Sequence, residues 1–150
     1  DSKMWPENYW VELAKMAAQH GYRVKISGGN QSELERSQRI AKLVPTVDAM
    51  PRQTIQQMAS LLAGSAAAVA VDTGFGHLAG ALNIPVVSLY GSTNPEYTGV
   101  IGMQAKNLAA KFPCSPCYNR ECTYKLPSTE KPACYETLPP MLVWQALGLN

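Results

Sequence analysis

Strong charge of either sign is missing from this sequence. Its 13 Lys+Arg stand against 11 Asp+Glu, the net charge is +2, and the basic residues form no block. A charge-driven nucleic-acid partner is therefore not expected. Long hydrophobic runs are also missing. The longest apolar stretch, Ala59 to Val71, is broken by Ser60, Gly64 and Ser65. It falls short of the ~20 apolar residues that a spanning helix needs. Neither a secretory signal nor an internal repeat is visible in these residues. Any membrane contact is expected to be peripheral. What remains is a chain of 150 residues, 46% hydrophobic and 16% charged, with the composition and length of one globular domain.

Apolar residues recur with two alternating periods. Trp10, Leu13, Ala14 and Ala17 repeat at helical spacing between Pro6 and Gly21. Tyr22 to Ser27 alternates like a strand, and Gly28 to Asn30 is a turn. Gln31 to Val44 reads as a helix with Ser32 as cap and Leu34, Ile40 and Leu43 facing inward. "TVDAM" is a short strand ended by Pro51. Thr54 to Ser65 is a helix with Ile55, Met58, Leu61 and Leu62 on one stripe. Ala66 to Val71 is apolar without alternation, as in a strand covered on both faces, and Pro85 to Gly91 reads as the next buried strand. A short helix through Leu82 separates them. The order α-β-α-β-α-β-α-β predicts an α/β fold, a Rossmann-like parallel sheet with helices on both faces.

Three segments are expected: 1–111 as the Rossmann-like domain, 112–137 as a Cys/Pro-rich loop, and 138–150 as a C-terminal helix. The middle stretch and its flanks hold all four cysteines and six of the eleven prolines.

"VDTGFGH" is the stretch that points to chemistry. A strand that ends in a Gly turn and opens a helix aims free N–H groups at one point, where an anion is favoured. Gly74 permits close approach, Thr73 adds a hydroxyl, and His77 lies one turn further on. Asp72 would repel a phosphate, so it is assigned to a sugar hydroxyl or to the helix cap. The bland alternative is a capped helix whose Gly74, Gly76 and Gly80 serve packing only. Lys3 and Glu33 read as solvated residues on their own, or as contacts to an anion and to a ribose.

Cys114, Cys117, Cys122 and Cys134 are spaced x2, x4 and x11. Four thiolates can close a tetrahedral site for zinc or iron. Free thiols and disulfides are the other two readings.

"K-x-W-P-x-x-x-W" at Lys3 to Trp10, "GGNQSELER", and "AVAVDTGFGHLAGALNIPVVSLYGSTNP" together resemble the C-terminal half of the bacterial lipopolysaccharide heptosyltransferases, the ADP-heptose glycosyltransferases of family nine. The resemblance spans most of residues 1 to about 105. It implies the C-terminal domain of a GT-B fold and inverting transfer of heptose from ADP-L-glycero-D-manno-heptose to the inner core. It implies donor contacts from Lys3, Glu33, Asp72, Thr73, Gly74 and His77, with Lys3, Thr73 and Gly74 at the phosphates and Glu33 at the ribose. No metal is implied for catalysis. The general base and the lipid A-core acceptor site are expected in an N-terminal domain, since a chain starting at Asp1 without methionine is expected to be part of a longer one. A cytoplasmic place, at the inner face of the inner membrane, follows from the same resemblance. The sequence departs from the family where Gly91-Ser92-Thr93-Asn94-Pro95 replaces Gly-Pro-Thr-Asp-Pro. The alternatives are a UDP-sugar glycosyltransferase or epimerase domain, and a non-catalytic nucleotide- or metal-binding module.

Overall fold

The computed structural model describes residues 1–149; Asn150, the last position of the expected 138–150 segment, lies outside the described residues. The order of elements is α1 (Glu7–Gln19), β1 (Val24–Ile26), α2 (Gln31–Leu43), β2 (Val47–Ala49), α3 (Ile55–Ala63), β3 (Ala68–Val71), α4 (Gly74–Ala81), β4 (Val86–Tyr90), α5 (Pro95–Thr98) and β5 (Ala105–Ala109). A 3₁₀ turn (Ala133–Thr137) and α6 (Pro140–Leu147) follow. Every strand pairing is parallel. The alternating α/β reading of the sequence is therefore what the chain folds into.

The sheet is not continuous. β1 pairs with β2 alone, and β3-β4-β5 form a separate three-stranded sheet. β5 was not legible in the sequence, because "AKNLA" places Lys106 and Asn107 in an exposed edge strand and dilutes the apolar signal.

Period-two alternation along β4 serves two cores. Val87 and Leu89 join Leu13, Val143 and Trp144, the faces of α1 and α6. Val86 joins Leu62, Ala79 and Val100 on the other face, under α3 and α4. A third cluster, Ala14, Ile40, Val44 and Val47, holds α1 and α2 to β1 and β2.

Three local expectations are corrected. The cap of α2 is Asn30, whose side chain accepts from the Glu33 N–H, not Ser32. Leu43 is 63% exposed, because Val44, four residues after Ile40, takes the inward place. Ile55 is also exposed: it shares the stripe of Leu62 but sits at the open end of α3, over a cleft. The α3 start itself is well made, with a reciprocal capping box between Thr54 and Gln57.

Candidate functional site

A cleft of about 1220 Å³ runs between the two sheets and opens at the carboxyl ends of β1 and β3. In doubly wound α/β folds this is where ligands bind. Gly29, Asn30 and Glu33 line one side of the mouth, Thr73 and Gly74 the other, and Arg52 to Thr54 a third. Residues forty positions apart in sequence thus face one opening.

The start of α4 has no capping side chain. Thr73 is its N-cap, yet the Thr73 side chain makes no capping bond; its hydroxyl donates weakly to the Val71 carbonyl at 3.3 Å. Asp72 is not the cap, which corrects one of its two assigned roles. The first N–H groups of α4 therefore have no side-chain acceptor from the cap. Thr73, Gly74 and His77 are all exposed. A Cβ on Gly74 would meet nothing within 4 Å. Gly76 and Gly80 are different: a Cβ on Gly76 would press on Val100 at 3.1 Å, and one on Gly80 on the Ile101 carbonyl at 2.6 Å. Packing explains Gly76 and Gly80. It does not explain Gly74.

Lys3 is brought to this turn from the far end of the chain. Its Nζ lies 3.4 Å from Asp72 Oδ2, and the Asp72 side chain is only 7% exposed. That oxygen has no hydrogen bond of good geometry, so the contact is an ion pair and not a directed bond. Asp72 thus tethers the ammonium beside the helix start. The Lys3 backbone is held as well. Tyr135 donates its phenol to the Lys3 carbonyl at 2.6 Å, and Trp5 Nε1 donates to the Leu138 carbonyl at 3.0 Å. Burial raises the Tyr135 phenol above its usual range, which keeps it a donor.

Glu33 is partly committed. Its Oε2 accepts from the Gly29 N–H at 2.6 Å, fixing the 28–30 turn. Gly28 is required there, since a Cβ would stand 2.7 Å from that of Glu33. Glu33 is exposed enough to use its second oxygen on a ligand at the mouth.

Two residues of the site escaped sequence reading. Tyr135 carries no local signal, because it acts on Lys3 from 132 residues away. Arg36 lines the cleft one turn after Glu33, and its Nε is buried without a partner. Helical spacing from Glu33 was the signal that could have found it. Burial lowers the Arg36 guanidinium from its ordinary value.

All four cysteines are free in the structure. Cys134 is buried, and a Cβ on Gly91 would lie 2.9 Å from its Sγ. The cysteine loop is tied to the same strand end: Ser115 Oγ donates to the Gly91 carbonyl, and the Tyr118 N–H to Ser92. Burial, then the thiols of Cys114, Cys122 and Cys117, push the Cys134 thiol up to about 11. Among the described residues, no three His, Cys, Asp or Glu side chains are arranged to hold a metal ion. Nor is any described helix long and apolar enough to cross a membrane.

The sequence matches the family model for glycosyltransferase family 9 (heptosyltransferase) over residues 1–127. Lipopolysaccharide heptosyltransferase 1 of Pseudomonas aeruginosa is 41% identical over 95% of this chain and 42% of its own length. The enzyme of the same name from Escherichia coli K12 is 40% identical over 71% of this chain and 33% of its own. Among solved structures, E. coli heptosyltransferase WaaC with ADP-2-deoxy-2-fluoro heptose is 28% identical, with a TM-score of 0.74 over 99% of this chain and 39% of that one. E. coli ADP-heptose lps heptosyltransferase II is 25% identical, with a TM-score of 0.75 over 98% and 41%. The chain thus spans less than half the length of these relatives.

Proposed function

Because the chain belongs to glycosyltransferase family 9, we propose that it is the donor-binding part of an inverting heptosyltransferase, holding ADP-heptose for transfer to the lipopolysaccharide inner core. The observation that carries this reading is Gly74: exposed, unpacked, and at the head of a helix whose cap leaves its N–H groups free. The relative solved with an ADP-heptose analogue supports the class of donor.

The chemistry assigned to this part is stabilisation of the leaving group. Breaking the bond from heptose C1 to the phosphate oxygen leaves negative charge on ADP. The N–H groups at the start of α4, the Lys3 ammonium and His77 are set to meet that charge as it develops. Asp72 holds Lys3 in place before the donor arrives, at the cost of part of its field. Glu33 is assigned to the ribose hydroxyls, and the 52–54 loop to the base. The acceptor, a lipid A-core sugar, and the general base that activates it are assigned to an N-terminal domain of the complete enzyme, working at the cytoplasmic face of the inner membrane. No metal is assigned to the reaction.

Calorimetric titration with ADP and, separately, UDP tests the reading. ADP is expected to bind in the micromolar to millimolar range, with UDP at least about tenfold weaker, a difference of about 1.4 kcal/mol. Equal binding favours a UDP-sugar enzyme. Binding of neither overturns the phosphate site and favours the non-catalytic module.

We also propose that Cys114, Cys117, Cys122 and Cys134 can hold a structural zinc or iron ion. Four free thiols are a fitting donor set. Their side chains have to rotate to close it, and Cys134 has to give up its proton. Metal uptake is therefore expected to strengthen as pH rises toward the Cys134 value. Elemental analysis of the purified protein is expected to find one equivalent per chain, and none would leave four free thiols.

A further inference from the structure

Residues 110–132, between β5 and the 3₁₀ turn, form no helix or strand. A connection of more than about 12–15 residues without regular structure is uncommon, and is either functional or poorly ordered. This one is tied down, and its ties converge on the donor site. Next to Cys114, Ser115 donates its hydroxyl to the Gly91 carbonyl. Next to Cys117, the Tyr118 N–H donates to the Ser92 carbonyl at 2.7 Å. Just before Cys122, the carbonyls of Asn119 and Arg120 accept from the hydroxyl and the N–H of Ser2. Next to Cys134, the Tyr135 phenol donates to the Lys3 carbonyl. Each cysteine thus lies within two residues of a bond that fixes either the end of β4 or the segment carrying Lys3.

Resting on the donor and thiol-site readings above, we propose that the cysteine segment is a clamp on the donor site. When its four thiols close on a zinc or iron ion, Lys3 is fixed at Asp72 and the donor nucleotide binds more tightly.

Cys134 is the fixed point of the clamp. It is buried, and a Cβ on Gly91 would come within 2.9 Å of its Sγ and of the Tyr135 ring. Cys114 is exposed and Cys117 and Cys122 are half-buried, so the thiols free to move are those on the loop. A tetrahedral site holds sulfur about 2.3 Å from the cation. Closure therefore draws the loop onto Cys134, and Asn119 and Arg120 hold Ser2 as they come. Lys3 is the residue this fixes. Its side chain is 43% exposed and meets Asp72 at 3.4 Å without a directed bond. A side chain held so loosely loses freedom when a phosphate takes it, and that loss weakens binding. Ordering it beforehand removes part of the loss. The coupling is reciprocal: the factor by which the cation raises nucleotide affinity is the factor by which the nucleotide raises cation affinity.

Calorimetry with ADP tests this on the chain loaded with one equivalent of zinc, unbound zinc removed, and on the reduced zinc-free chain. The loaded chain is expected to bind ADP about tenfold more tightly, within the usual range of coupling between sites. Zinc affinity, read by competition with a chromophoric chelator, is expected to rise by the same factor when ADP is present. ADP that merely sequestered zinc would lower it. In Lys3→Ala the loaded and zinc-free chains are expected to bind ADP alike, because the residue on which the clamp acts is gone. Tyr135→Phe keeps the ring against Gly91 and loses the bond to Lys3, so it is expected to reduce the factor while zinc is still taken up. Ser2→Ala reads the same loss at the other tie should Tyr135→Phe unfold. Equal ADP affinity with and without zinc overturns the clamp and leaves the donor reading standing. So does a zinc gain of the same size in Lys3→Ala, which would mean that zinc only firms the fold. Failure to take up zinc overturns the clamp and the thiol site together. ADP binding to neither form overturns the donor reading, and the clamp with it.

Discussion

Gly74→Asp is expected to weaken ADP binding by at least about 100-fold, or about 2.7 kcal/mol, while the protein stays folded. The two effects have opposite signs, and that makes the variant informative. A carboxylate about 4 Å from a diphosphate oxygen opposes it by up to about 4 kcal/mol at the dielectric of a protein surface. Asp in the first turn of a helix, by contrast, favours the helix by about 0.3–1 kcal/mol. A Cβ added at Gly74 meets no neighbour within 4 Å, so the first atom of the new side chain has open space. Calorimetry with ADP reads the first effect and urea unfolding reads the second. Undiminished ADP affinity would show that the phosphate does not sit at the start of α4. Lost affinity with lost stability would instead mean that Gly74 is needed by the fold.

Lys3→Ala is expected to weaken ADP binding by about 10- to 50-fold, or about 1.4–2.3 kcal/mol, and to flatten its dependence on salt. The loss should be larger at low ionic strength, where a partly exposed ammonium is least screened. Stability changes for a separate reason. Asp72 is buried and loses its cation, but Lys3 is 43% exposed, so the pair is screened and the cost is expected near 1 kcal/mol. Adding Asp72→Asn removes the orphaned charge. The double variant is therefore expected to recover stability and not ADP affinity. If the second change restored binding too, Lys3 would be acting only by neutralising Asp72, and its contact with the donor phosphates would be withdrawn.

Much of the architecture was legible in the chain because local periodicity and burial agree. Val86 to Tyr90 is buried at every position, and it reads as an apolar run broken only by Ser88, whose hydroxyl donates to the Tyr90 phenol. The Gly21 stop, at φ 83°, and the break at Pro51 mark ends that backbone sterics impose, and Asn30 starts α2 through its own side-chain cap. β5 was not legible, because an edge strand with exposed Lys106 and Asn107 needs no apolar face to form once β4 offers its backbone. Leu43 and Ile55 were misplaced for the same kind of reason: being apolar does not bury a side chain unless something stands opposite it.

By itself, then, the sequence determined the alternation of helices and parallel strands and the Asp72-Thr73-Gly74 turn at a strand end. Those depend on contacts within a few residues, which spacing records directly. Only the tertiary structure decided which glycine is free for a ligand, because Gly74, Gly76 and Gly80 look alike until Val100 and Ile101 are seen against two of them. It alone brought Lys3 to Asp72, tied its carbonyl to Tyr135, and split the sheet around a cleft. Each of these joins residues tens to more than a hundred positions apart. Such contacts form only when the chain closes on itself, and no local pattern encodes them.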